Sequence, residues 1–322
     1  MAGSSQQGEL VDVEDKLVEV VEWEGREYQK YSLAREINLS PCDQDEADRL
    51  EKQHFFLKDL LTGEEWPRNH RLFPAAATHA HDFLDLGFGT GLWCAEVGSY
   101  DTRFRVVGID ITSHMAIDDN PPNVELELQN LNEELMLSDL NSFDFVRLSF
   151  VSGGISRQRW PGLLSDIFNK ALRPGGIVQS MEWDLHFRSD SDAEASLSNL
   201  REWTRLYTTA LSSSERHEGR KIHRVEDIED FMRAARFEVS SKVIDVPIGG
   251  WPNDRRSKAI GTKNFENMSS LLETIATYVV VSRRICSLED FKDLIENAKT
   301  ELGNDEAELY MRLHIVWGKK AA

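Results

Sequence analysis

The stretch DFLDLGFGTGLWCAEVG, Asp82 to Gly98, restricts this chain more than any other. It runs apolar for one strand's length, breaks into glycines at Gly87, Gly89 and Gly91, and then turns amphipathic. A glycine-rich turn between strand and helix lets backbone approach a ligand where a Cβ would collide, at the carboxyl end of a sheet. That describes a nucleotide-type site; the plain alternative is a tight βα connection. Spacing discriminates among ligands, because a dinucleotide fingerprint counted from Gly87 and Gly89 has its third place at Leu92, whereas the third glycine is Gly91. Asp85, two residues before Gly87, would repel a pyrophosphate and welcome an ammonium group. S-adenosyl-L-methionine carries an ammonium, a sulfonium and no phosphate.

Strand-like runs at 81–87, 105–111, 124–129 and 143–151 alternate with helix-like ones. A helix with apolar positions 160, 163, 164, 167, 168, 171 and 172 ends at RPGG and leads to a fifth strand, GIVQSMEW, at 176–183. Such alternation builds right-handed crossovers and a doubly wound, mostly parallel α/β sheet. Beyond Asp184, helices near 193–213, 225–235, 264–282 and 287–302 accompany two strands, 237–247 and 309–318. The two strands are expected to finish the same sheet, and the helices to form a lid. Upstream, SPCDQDEADRLEKQHFFLKDLL predicts a helix with Ser40 as N-cap, Pro41 in first position and Asp43 where a capping-box acid would sit. Leu50, Leu57 and Leu61 share a face with His54. Four segments are therefore expected: an acidic mobile tail (1–25), an N-terminal helical segment over the cofactor mouth (26–75), the cofactor-binding core (76–184) and the lid with the last two strands (185–322).

A second acid supports the ligand reading, since Asp110 ends RVVGID nineteen residues after Gly91, near the spacing that reaches a ribose hydroxyl pair. Ile111 follows it; Asn130 is placed to read the adenine edge, Leu131 to cover its ring, and LSFVSGGI, 148–155 with Ser149 in it, to line the floor near the methyl group. His186, just past the fifth strand, is the first candidate for a catalytic base and His54 the second, each set against a merely structural histidine. Trp183, Tyr207 and Trp251 could wall an acceptor pocket, although Tyr207 shares a helical face with Leu197, Leu200, Trp203 and Leu211, and Trp251 could equally anchor the lid. ERHEGRKIHR, 215–224, reads as a solvated loop; its HxxE pattern lacks companion ligands, so no metal is expected.

A formal net charge of −19 disfavours nucleic acid and anionic lipid as partners. No stretch approaches a membrane span, and Cys42, Cys94 and Cys286 have neither disulfide nor metal-type spacing. A cytoplasmic setting is expected, with the nucleus as the other reduced compartment.

LDLGFGTGLW, VVGIDI and ALRPGGIVQSMEWD together resemble the class I S-adenosylmethionine-dependent methyltransferases. PCDQDEADRLEKQH, RWPGLLSDIFNKALRPGG and PIGGWPNDRRSKAIG narrow the likeness to the LaeA/UMTA-like methyltransferases of filamentous fungi, from about Tyr31 onward. The resemblance implies a seven-stranded Rossmann-like sheet with an antiparallel last strand, an adenosylmethionine cofactor, and a place in secondary metabolism or its regulation. The acceptor would be a small molecule methylated on oxygen; the alternatives are a regulatory protein with a protein partner, or an enzyme that rearranges its substrate without spending the methyl. Departures from the pattern are Phe88 for a small residue, Asn130 for an acid, and Arg236 where a helix-ending glycine is usual.

Overall fold

A computed structural model of the chain describes residues 17–61, 79–189, 191, 197–213 and 226–322. The expected loop at 215–224 and most of the acidic start lie outside these residues. The tail expected through residue 25 gives way earlier, because β1 (Val20–Trp23) and β2 (Arg26–Gln29) pair as an antiparallel hairpin. Short helix α1 (Lys30–Arg35) follows, then α2 (Gln44–Leu60). The N-cap of α2 is Asp43, not Ser40: its carboxylate accepts from the Glu46 N–H and is held by Arg26 of the hairpin at 2.6 and 2.8 Å.

The main sheet has seven strands: β3 (Asp82–Leu86), β4 (Arg105–Asp110), β5 (Val124–Leu128), β6 (Phe143–Ser149), β7 (Leu172–Ser189), β8 (Glu238–Pro247) and β9 (Leu309–Lys319). Their spatial order is β5-β4-β3-β6-β7-β9-β8. The first five in that order run parallel, and β9 lies antiparallel between β7 and β8. After β3 the chain winds outward through β4 and β5, then returns to β6 on the other side of β3. That reversal opens a crevice at the carboxyl ends of β3 and β6, where open α/β sheets bind ligands.

The alternation of side chains puts Phe83, Val106, Phe145 and Ile177 on one sheet face, under α3 (Leu92–Tyr100). Leu84, Val107, Val146 and Val178 lie on the other, under α4 (Arg159–Asp166) and α6 (Glu226–Ala234). The helix expected over 160–172 closes as a π turn at Ile167–Ala171. The fifth strand is also longer than expected at both ends. RPGG bulges out of the pairing with β6, whose partners step from Leu172 to Ile177, and past Asp184 the strand continues because β9 pairs with it as far as Ser189.

The lid helices are α5 (Ser198–Ser212), α7 (Arg255–Thr274), α8 (Thr277–Ser282) and α9 (Leu288–Leu302). They share one apolar cluster with α2 and the far half of β7, built on Phe56, Trp183, Trp203, Leu271 and Phe291. This cluster holds α2 and α7 side by side above the carboxyl ends of the strands, so the crevice has a roof.

Candidate functional site

A cavity of about 300 Å³ lies under α2 and α7 at the reversal point of the sheet. Its floor begins at the glycine turn. Gly87 has φ +89°, and a Cβ there would stand 2.3 Å from Val151 Cγ1, so the loop after β6 can close against β3 only over a glycine. Gly89, with φ +59°, lines the cavity, and its position faces Leu50 of α2 at 3.6 Å. Gly91 is the left-handed N-cap of α3 and supports the turn from behind without reaching the cavity.

Asp110 stands at the end of the neighbouring strand and also lines the cavity. One oxygen accepts from the Gly89 N–H at 2.8 Å, the other from the N–H groups of Ile111 and Thr112. Burial outweighs these donors and pushes its carboxyl up to about 6. Ile111, Leu131 and Ser149 also line the cavity, and Ser149 Oγ is buried with no hydrogen-bond partner among the described residues.

Other expectations need correction. Asp85 is fully buried below the cavity, with Arg147 Nη1 at 2.9 Å from both its oxygens, so no ligand ammonium meets it. Burial drives its carboxyl upward against the pull of that guanidinium. Asn130 turns into its own loop, binding Asn132 and Glu133, and the amide that lines the cavity is Asn132. His186 is exposed on the outer continuation of β7, bonded to Asp184 at 2.5 Å, which raises its pKa. It is not at the cavity. Neither is Trp251, whose indole N–H binds the Leu309 carbonyl and pins the lid to β9. His54 does line the cavity, with Nε2 2.9 Å from Glu96 of α3, which also takes Lys58. Trp183 and Tyr207 line it too. Trp183 is stacked between Phe56 and Phe150, and Tyr207 lies against Trp203.

Phe150 lies in the run expected to line the floor, whereas three charged cavity residues, Arg147, Glu182 and Arg49, escaped the sequence reading. Glu182 is buried on β7 and straps down the loop after β6, accepting from the Val151 and Ser152 N–H groups and the Ser152 hydroxyl. Its carboxyl is pushed up to about 7 by burial. Phe150 adopts φ +58° at the crest of the reversal, an uncommon conformation for a bulky residue and one found at functional sites. Under the roof, Arg49 pairs with Glu46 and also donates to Gln53 and Asn267, joining α2 to α7. The available signal was a charged residue inside an otherwise buried run, as in FDFVRLS, GIVQSMEW and the inner face of α2.

S-adenosyl-L-methionine fits this cradle. Exposed backbone at Gly89, an acid at the end of the second strand, apolar Ile111 and Leu131, and an orphaned Ser149 hydroxyl all open on one cavity.

The methyltransferase-domain family model matches residues 46–242. The chain is similar to the secondary metabolism regulator laeA of Aspergillus fumigatus, at 27% identity over 304 residues, covering 92% of this chain and 75% of the relative. It is similar to the secondary metabolism regulator LAE1 of Cochliobolus heterostrophus at 26% identity, covering 90% and 92%. The protein-methionine methyltransferase laeA of Emericella nidulans is 27% identical, covering 92% and 75%.

Proposed function

Since the chain belongs to the methyltransferase-domain family and takes S-adenosyl-L-methionine as cofactor, we propose that it methylates a small secondary metabolite, first of all on oxygen. The supporting observation is the two-ended cavity. Its glycine end suits the nucleoside, and its other end is walled by Leu57, Phe150, Trp183, Tyr207, Leu271 and Ile275, which suit an apolar or aromatic acceptor of small size. When bound, the cofactor supplies a methyl group on a positively charged sulfur. The chain's part is to hold an acceptor atom in line and exclude water, which α2 and α7 do as a roof. If the acceptor is a hydroxyl, its proton needs a base within reach. Of the two histidines considered, His54 is the one at the cavity, and Glu96 orients its ring.

The names of the relatives favour a second reading, a regulator on the same fold that modifies or binds a protein. The first reading places the chain in the cytoplasm, the second admits the nucleus. Among the described residues, no helix is long and apolar enough to cross a membrane. Incubation of metabolite extracts with labelled S-adenosylmethionine, read by mass spectrometry, should show a small molecule that gains one CH2 unit. Label appearing only in a co-purifying protein would replace the first reading with the second.

A further inference from the structure

Arg147 sits in the middle of β6, a central parallel strand whose neighbours on both faces are apolar. A cation there is expensive, and replacing a buried ion pair by a well-packed apolar pair of similar volume is often neutral or stabilising. Stability alone therefore does not account for it.

Asp85 lies directly opposite on β3, and both its oxygens are met by Nη1 of Arg147. The guanidinium also stands over the Trp93 ring, 5.0 Å from its centroid, which fixes its plane. Nε and Nη2 have no hydrogen-bond partner among the described residues, and Arg147 lines the cavity. These two groups form the side-on edge of a guanidinium, the fork that matches a carboxylate. The other cavity cations are engaged: Arg49 by Glu46, and Lys58 by Glu96.

Beside the glycine turn the cavity thus presents the Asp110 carboxylate on one side and the unpaired edge of the Arg147 guanidinium on the other. Asp110 ends β4, Gly87 follows β3 and Arg147 lies on β6, three adjacent strands. Two strand spacings separate the outer pair, roughly 10 Å, which is about the reach from the ribose hydroxyls of an adenosyl thioether to its amino-acid arm.

We infer that Arg147 receives the carboxylate of the cofactor's amino-acid arm, with Asp85 as the buried counter-charge that aims it. The inference rests on the S-adenosylmethionine reading of the cavity. It reverses the role that spacing suggested for Asp85: the acid orients a cation of the protein and does not bind a cation of the ligand.

The test is calorimetric titration with S-adenosylmethionine and with decarboxylated S-adenosylmethionine, which lacks only the carboxylate. The native chain should bind the first tighter by roughly 10- to 100-fold, the range of a charge-assisted hydrogen-bond pair. In Arg147→Gln the two affinities should converge to within about threefold while affinity for the decarboxylated compound is kept, and Arg147→Lys should fall between. If Arg147→Gln fails to fold because Asp85 is left unpaired, the double variant Asp85→Asn/Arg147→Gln buries no charge and carries the same comparison. Equal affinities in the native chain, or a native ratio in the variants, would overturn the inference while leaving the cofactor reading intact. A native chain that binds neither compound would remove the cofactor reading itself.

Discussion

Gly89 and Asp110 are tied by the hydrogen bond from the glycine N–H to the carboxylate, so changes at either are read at one turn. Gly89→Leu forces a branched residue into a left-handed conformation, at about 1–2 kcal/mol, and fills the space over which a nucleoside would lie. S-adenosylhomocysteine affinity should fall by roughly 100-fold or more with little change in far-ultraviolet circular dichroism, since strain of 1–2 kcal/mol is small beside the stability of a domain. Unchanged affinity would place the ligand elsewhere. Asp110 gives a pH signature. If ribose hydroxyls donate to this carboxylate, they need it ionised; burial pushes it up to about 6, so affinity should rise from about pH 5 to about pH 7.5 and level off. Asp110→Asn should bind more weakly and flatten that rise; a native profile in the variant would reject the assignment. Both residues were singled out from glycine spacing and the end of a strand, and both line the cavity. Asp85 was misread because spacing along one strand says nothing about which side chain stands opposite on the next. Arg236, expected to stand where a helix-ending glycine is usual, takes φ +74°, while its guanidinium binds Asn169 and covers the Phe168 ring.

At the scale of elements, α7 depends on Gly261. A Cβ there would stand 2.2 Å from the Gly249 carbonyl oxygen, and the Gly261 carbonyl accepts from the Gly249 N–H at 3.0 Å. Backbone meets backbone, so no side chain can yield. Gly261→Ala should cost about 1–3 kcal/mol in urea unfolding, the range for overpacking, and weaken the roof against β8. A stability equal to native would mean that α7 is free to shift. Strand and helix placement followed the periodicity of the sequence closely, because buried parallel strands and amphipathic helices write their burial into residue order. The ends of β7 did not, since its length is set by pairing with β9, more than a hundred residues later.

For the molecule as a whole, the strap between Glu182 and the loop after β6 links stability to pH. The folded protein holds this proton up to about 7, against 4.5 for an ordinary glutamate. The contribution is therefore fully present below about pH 4.5 and is lost as pH rises through about 7, on the order of 3 kcal/mol in all. Asp43, Asp166 and Asp184 are held low by basic partners and lose stability only on the acid side of this window. The urea midpoint of the native chain should fall between about pH 5 and about pH 8, and Glu182→Gln should flatten the fall. Parallel slopes would assign the dependence to other groups. The acceptor end of the cavity was the least legible part. Its walls come from α2, β7, α5 and α7, and no local pattern in any of them signals that the others converge.

The position of β9 carries a consequence for biosynthesis. It fills the slot between β7 and β8 and is the neighbour that joins β8 to the sheet. Since β9 leaves the ribosome after every other strand of that sheet, a nascent chain halted before it would leave the β7 edge unpaired and β8 without a partner, a natural client for chaperones.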